Sequence, residues 1–97
     1  MPSYLSLINW TEQGVRDVKG SPERLDAVKK AAEAAGGRVI FFYMLMGDYD
    51  LATLFELPDD EAAARVLLAA GMGGNVRSKT YKAFTEDEYR KIIGSLP

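Results

Sequence analysis

The sequence predicts an α+β fold in which an antiparallel sheet of four strands carries its main helices on one face. Two observations support this prediction. Four segments rich in β-branched and aromatic residues alternate with helix-like segments, and glycine, proline or capping residues stand at the boundaries. The chain has 97 residues, which suits one hydrophobic core and not two. We therefore expect a single domain over residues 1–97.

The first half of the chain begins with a strand expected over Ser3–Asn9, where apolar residues supply both faces. Thr11 is a candidate N-cap for a short helix over Glu12–Lys19. Ser21 is the expected N-cap of a longer helix, which has proline at its first helical position and ends at Gly36. The apolar residues of this helix recur at helical spacing: Leu25, Val28, Ala32 and Ala35.

The second strand, expected over Arg38–Met46, is apolar on both faces because Arg38 is its only charged residue. Strict alternation separates its side chains into one set with Val39, Phe41, Tyr43 and Leu45 and another with Ile40, Phe42, Met44 and Met46. A turn over Gly47–Asp50 joins it to a third strand over Leu51–Leu57. We expect a positive φ angle at Gly47 in this hairpin.

The last third of the chain predicts a helix, a strand and a further helix. The first helix starts at a cap, Asp59 or Asp60, and its alanines favour close packing on the sheet. Val76–Phe84 is a more polar strand, which suits a sheet edge. Thr85 and Glu88 form a capping box for the C-terminal helix. That helix carries an apolar stripe: Tyr89, Ile92, Ile93 and Leu96.

The element order β-α-β-β-α-β is that of a ferredoxin-like split βαβ unit followed by a C-terminal helix. Right-handed crossovers give an antiparallel sheet with strand order 4-1-3-2 and both main helices on one face. The other face then carries large apolar side chains that these helices do not cover. A second copy of the chain is the simplest cover, giving a homodimer. The alternative is that the C-terminal helix folds back over this face.

Several stretches resemble the GYD-domain family of small prokaryotic proteins, which is named after glycine, tyrosine and aspartate in one run. Gly47–Asp50 carries that run, with Asp48 between the glycine and the tyrosine. Further similar stretches extend the resemblance over nearly the whole chain: Tyr4–Gly14, Ser21–Leu25, Gly74–Arg77 and Ala83–Thr85. The resemblance implies a dimeric α+β barrel, in which two ferredoxin-like sheets pack face to face, and it supplies no catalytic residue.

The composition excludes several chemistries. Without cysteine or histidine the chain has no disulfide, thiolate or imidazole chemistry, so we expect neither a metal nor a cofactor. The formal charge of −2 provides no positive field for nucleic acid or anionic lipid. The longest nearly uncharged stretch, Val39–Gly47, is too short to cross a bilayer, and no signal-peptide pattern is visible. These patterns predict a cytoplasmic protein that binds neither nucleic acid nor membrane.

Three irregular segments are expected to meet at one end of the sheet and to border the principal cavity. They bring together a candidate small-molecule pocket of aromatic and polar side chains: Asn9, Trp10, Tyr43, Tyr49, Asp50, Asn75 and Arg77. In the alternative interpretation, Trp10 and Tyr49 plug the end of the core while Asp48 and Asp50 bind turn amides. Turn chemistry alone explains the glycine and the aspartates, which favours the alternative.

Three functions therefore stay open. The first, which the sequence favours, is a homodimeric binding or structural module with a small apolar pocket. The second is a cofactor-independent isomerase or oxygenase acting on a small aromatic or apolar substrate, and it rests on fold analogy. Its candidate acid, base and anion-stabilising groups are Tyr43, Tyr49, Asp50 and Arg77. The third is a subunit of a larger assembly that makes contact through a sheet edge.

Overall fold

A single antiparallel sheet organises the molecule, with strand order β2-β3-β1-β4 in a computed structural model that describes all 97 residues. The elements are β1 (Ser3–Trp10), α1 (Glu12–Arg16), α2 (Ser21–Ala34), β2 (Arg38–Met44), β3 (Leu51–Glu56), α3 (Asp60–Met72), β4 (Val76–Ala83) and α4 (Glu86–Gly94). The order is the predicted 4-1-3-2 counted from the opposite edge. The α+β, ferredoxin-like prediction is thus confirmed.

The strand register separates two faces of this sheet. Side chains that alternate along β1 and β3 point toward α2 and α3, and we call this side the helix-covered face: Tyr4, Ser6, Ile8, Leu51, Thr53 and Phe55. The opposite side, the open face, is formed by Leu5, Leu7, Phe41, Tyr43, Leu54 and Tyr81. No helix packs on the open face strongly enough to bury its aromatic side chains.

The hydrophobic core lies between the helix-covered face and the two main helices. Tyr4, Phe55 and Leu57 pack there against small residues of the helices: Ala32, Ala62, Ala63 and Val66. Alanine lets the helix backbones approach the sheet, as the sequence predicts. The Tyr4 ring is buried, and its hydroxyl reaches the core's edge, where it donates a hydrogen bond to Asp60 Oδ1 at 2.5 Å.

Strand β2 departs from the predicted alternation. Val39 pairs with Phe55, whereas Phe41 pairs with Leu54, so the register shifts between Val39 and Phe41. A β-bulge adds one residue to a strand, which moves every later side chain to the other face. Val39 therefore shares the helix-covered face with Phe42, while Phe41 and Tyr43 lie on the open face, and the predicted sets were wrong. The strand also ends at Met44, two residues early.

The capping residues are largely those that the sequence predicts. Thr11 accepts a hydrogen bond from the Gly14 amide, and Asp59 accepts one from the Ala62 amide. Thr85 and Glu88 form the complete capping box of α4. Ser21 is an exception, because it lies inside α2 and the glycine before it is the N-cap.

Helix α4 contains no buried residue. Its apolar stripe stays 45–62% exposed, so α4 does not fold back over the open face as the alternative required. The molecule is accordingly elongated, with extents of 52 × 31 × 17 Å. None of its helices has the length and apolar character needed to cross a membrane.

Candidate functional site

Asp50 connects the ends of two strands at the loop end of the sheet. Its carboxylate Oδ2 accepts a hydrogen bond from the Trp10 amide at 3.0 Å. Its own amide donates to Asn9 Oδ1 at 3.2 Å and to the Ile8 carbonyl at 2.9 Å. These contacts fix where β1 ends and β3 begins. They support the interpretation in which Asp50 bonds to backbone amides, and they engage the carboxylate that the enzyme hypothesis needs.

Asn75 lies in the loop that precedes β4 and joins this loop to α1 through hydrogen bonds. Its carbonyl accepts from the Thr11 amide at 3.0 Å, and its side chain accepts from Gln13 Nε2 at 3.1 Å. Thr11 Oγ1 donates to the Gly74 carbonyl at 2.6 Å. Helix α1 approaches so closely that a Cβ on Gly14 would stand 2.0 Å from the Asn75 oxygen. Asn75 is therefore held by contacts that shape the loop.

Three of the seven predicted pocket residues, Asn9, Tyr49 and Arg77, do meet around one concave region. We call it the polar cleft. It lies at the loop end of the open face, encloses about 290 Å³ and is completed by Leu7, Asp48, Ser78 and Lys79. Arg77 and Lys79 share a face of β4 because they lie two residues apart, as the sequence predicts. With two cations and one carboxylate, the polar cleft carries a net positive charge.

The remaining predicted residues lie elsewhere. Tyr43 stands on the open face, 61% exposed, with its ring centroid 5.3 Å from that of Phe41. Trp10 is half-buried, and its indole nitrogen is buried without a hydrogen-bond partner. Trp10 and Asp50 line neither the polar cleft nor the cavity described below. The candidate acid–base set of the enzyme hypothesis is thus divided between the open face, the polar cleft and a structural contact.

A second concave region, larger than the polar cleft, lies between α2, α3 and the helix-covered face, and Asn75 is the one predicted pocket residue that lines it. We call it the apolar cavity. It encloses about 320 Å³, and thirteen of its nineteen lining residues are hydrophobic. Four of the lining residues are alanines, whose short side chains leave this space open: Ala27, Ala31, Ala69 and Ala70. The sequence-based argument treated the alanines of α3 only as a means of close packing and therefore missed the cavity.

Arg24 is the only charged residue that lines the apolar cavity, and the sequence-based argument did not single it out. A signal was available in the sequence. Arg24, Val28 and Ala31 follow one another at helical spacing, which places the aliphatic part of the Arg24 side chain on the apolar face of α2. The Arg24 side chain is mostly buried, and its Nη1 pairs with Asp17 Oδ2 at 3.2 Å.

The groups with displaced pKa values stand outside both concave regions. Burial of the Tyr4 ring, helped by its hydrogen bond to Asp60, raises the pKa of Tyr4 to about 12. The same hydrogen bond, with Lys82 at 3.6 Å, lowers the pKa of Asp60. The Thr85 backbone amide lowers the pKa of Glu88. All three shifts follow from contacts that stabilise the fold. The chain has no cluster of three acidic side chains that could hold a metal ion.

The sheet order and one-sided helices define a ferredoxin-like α+β protein. Within this class, the chain belongs to the GYD domain family, whose model matches residues 4–93. The match covers the stretches that suggested the resemblance and confirms it.

Similar proteins agree with this assignment. A "Glutamine synthetase and cystathionine beta-lyase binding protein" from Thermus thermophilus is 31% identical over 84 residues, which cover 86% of this chain and 88% of that protein. A crystal structure of a Thermus thermophilus protein is 25% identical with a TM-score of 0.54, covering 88% of this chain and 95% of that one.

A structural match with lower sequence identity is a feast or famine regulatory protein from M. tuberculosis, solved in complex with L-methionine. It is 18% identical with a TM-score of 0.66 and covers 88% of this chain but 51% of that chain. At this identity the likeness concerns the fold alone.

Proposed function

We propose that the protein is a binding module without catalytic activity that works as a homodimer, with the open faces of two copies packed together. One observation carries the proposal: the open face presents large aromatic side chains that nothing in the chain covers. Tyr43 is 61% exposed and Tyr81 is 52% exposed, and both stand over half-buried apolar neighbours. Contiguous apolar surface of this kind marks contact sites in proteins.

The chemistry of the open face fits a contact between proteins. Tyrosine and phenylalanine are enriched in such contacts because they bury much area and, for tyrosine, retain a polar group. Charged groups stand around the edges of the face. Arg38 bonds to Glu56 at 2.9 Å across β2 and β3. Arg77 and Lys79 lie on the edge strand β4, where Lys79 pairs with Leu7. An apolar centre with a charged rim is the usual arrangement of an interface, and a two-fold axis would pair the same patch with itself.

Two further observations favour a binding module over an enzyme. Of the four candidate groups of an isomerase or oxygenase, only Tyr49 and Arg77 line one concave region, whereas the Asp50 carboxylate accepts from a backbone amide and Tyr43 stands outside that region. The similar Thermus protein is named for binding two enzymes. We therefore infer that the function of this chain is contact with proteins, and that its partners are metabolic enzymes of that kind. We expect the exposed stripe of α4 to extend the contact surface of the dimer.

The test of the dimer is the double variant Tyr43→Lys with Tyr81→Lys. Both side chains point outward, so the variant should keep the wild-type circular dichroism spectrum, while two cations on the open face oppose association. Size-exclusion chromatography with light scattering should give twice 10.7 kDa for the wild type and 10.7 kDa for the variant. Leu68→Lys is the matched control, because Leu68 is 69% exposed on α3, away from the open face, and should leave the mass unchanged.

A double variant that keeps both its fold and the wild-type mass would contradict the proposed interface. The partner class is tested separately with purified glutamine synthetase and cystathionine β-lyase from the source organism. Immobilised wild-type protein should bind at least one of them in biolayer interferometry. At a concentration of about 0.1 mM, even a weak contact with a binding free energy of about 5.5 kcal/mol is half-saturated. If neither enzyme binds at this concentration, the assignment of enzyme partners is contradicted.

A further inference from the structure

We propose that the apolar cavity is a binding site for a small carboxylate with an apolar body, and that Arg24 holds the carboxylate. The inference deepens the binding-module proposal by naming a ligand class. It is independent of how the open face is covered, because neither Tyr43 nor Tyr81 lines the cavity.

The size and lining of the cavity define the apolar part of the ligand. Leu25 and Val28 of α2, Val66 and Leu67 of α3, and Phe42 of β2 supply apolar walls. A volume of about 320 Å³ lies within the range of small-molecule sites. It is roughly twice that of an engineered apolar cavity of about 150 Å³ that takes up benzene. A medium-length aliphatic chain or a substituted aromatic ring therefore fits.

Arg24 defines the polar part of the ligand. Its Nη1 donates to the Asp17 carbonyl at 3.0 Å and to Asp17 Oδ2 at 3.2 Å. Its Nη2 is buried from solvent and has no hydrogen-bond partner. A buried donor without an acceptor is unfavourable, and a guanidinium binds a carboxylate more strongly than a neutral acceptor. The free edge of Arg24 thus selects an anionic oxygen.

The other lining residues reinforce this selection. No acidic residue lines the cavity, so a cation would meet Arg24 without compensation. The remaining polar groups, which include Thr53, Ser21 and Asn75, are neutral. Asp17 occupies the Nη1 side of Arg24, so a single carboxylate oxygen on an apolar body matches the one remaining donor, Nη2, among apolar walls. A doubly charged or sugar-like ligand would leave polar groups buried without partners.

The test is a titration of the isotope-labelled full chain with sodium octanoate, followed by amide chemical shifts. The shifts should concentrate at Val28, Ala31 and Ala70, and 1-octanol should bind more weakly at the same residues. Arg24→Gln keeps the polar head but removes the charge, and we expect octanoate affinity to fall by about 10-fold or more. The affinity for 1-octanol should stay within about twofold, which a general disturbance of α2 would not produce.

Two further variants keep the result interpretable. Ala70→Leu fills the cavity and should abolish binding of both probes without lowering the thermal midpoint. Arg77→Gln makes the same charge change in the polar cleft and should leave octanoate affinity unchanged. Equal octanoate affinity in Arg24→Gln and wild type, shifts centred on Leu7 and Lys79, or no saturable shift at all would each overturn the proposal. A wild type that dimerises but ignores octanoate would refute this inference alone, since the open face does not line the cavity.

Discussion

Both faces of the sheet carry large aromatic side chains, but helices cover one face and leave the other in solvent. On the helix-covered face, Phe55 is 2% exposed and Tyr4 is buried with it, because α2 and α3 pack over them. On the open face, one residue along each strand, equally large side chains such as Tyr43 and Tyr81 remain in solvent. The comparison teaches that the pattern of apolar residues in a strand predicts burial, whereas the elements present in the chain decide whether that burial occurs within one molecule.

The helix-covered face is itself only partly filled. Around Tyr4 and Leu57 the core is closed, whereas a cavity of about 320 Å³ remains beside Phe42 and the more exposed alanines of the two helices. One face therefore offers space for a small ligand, and the other offers surface for a second chain. The proposals for the two faces depend on different residues, so each can fail alone.

The largest expected effect comes from replacing one aromatic residue on each face by alanine. Phe55→Ala removes a buried side chain and should lower the free energy of unfolding by about 3–5 kcal/mol at every protein concentration. Tyr43→Ala removes an exposed one, and its loss of stability should depend on concentration, because only association is weakened. Urea denaturation at two concentrations tenfold apart measures both. A concentration-independent loss for Tyr43→Ala would break the comparison.

A smaller effect is expected at Gly14, where α1 packs on the loop before β4. A Cβ at this position would stand 2.0 Å from a backbone oxygen that cannot rotate away, so Gly14→Ala should cost about 2 kcal/mol. Gly71 is the control, because nothing lies within 4 Å of its Cβ position near the end of α3. Gly71→Ala should stabilise the protein by about 0.5 kcal/mol. Thermal midpoints that fall equally in both variants would show that the contact at Gly14 is not tight.

The hairpin between β2 and β3 gives the next effect. Gly47 has φ of +155°, which confirms the predicted positive angle, and its surroundings are open. Gly47→Val should therefore cost about 1 kcal/mol through backbone strain alone, without a clash. An unchanged urea midpoint would mean that the loop relaxes into another conformation. Because the loop joins strands that contribute to both faces, this variant should lower stability and association together.

The smallest effect at neutral pH comes from the Tyr4–Asp60 contact at the edge of the core. The pKa of Tyr4 is raised to about 12, so its ionisation favours the unfolded chain. The contribution of Tyr4 to stability should be complete below pH 10 and lost progressively between pH 10 and pH 12. Tyr4→Phe should flatten this decline, as measured by urea midpoints at several alkaline pH values. An identical decline in the variant would assign it to other groups.

Much of the fold was predictable because its signals are local. Caps such as Thr11, Asp59 and Thr85 depend on residues three positions away, and strand order follows from element order and crossover handedness. The bulge in β2 was not predictable, since Val39 and Phe41 change register through pairing with β3. Neither was the Tyr4–Asp60 bond, which joins residues 56 positions apart.

The candidate site was predicted less well, for a physical reason. Topology correctly brought Asn9, Tyr49 and Arg77 to one end of the open face. Turn chemistry also favoured the interpretation in which Asp50 bonds to backbone amides, and the bond from the Trp10 amide supports it. The contacts of Asn75 with Thr11 and Gln13 were not predicted, because they depend on how the loop before β4 lies against α1. The apolar cavity depends on how far apart α2 and α3 stand. That distance results from all the side chains between the two helices, so no single sequence motif predicts it.

The central claim is that the open face is the contact between two copies of the chain. Sedimentation equilibrium of the wild-type protein at low micromolar concentration tests it most directly, with circular dichroism recorded on the same sample. We predict a single species of twice 10.7 kDa with the native spectrum. A species of 10.7 kDa that keeps the native spectrum would contradict the claim, because the open face would then be stable in water.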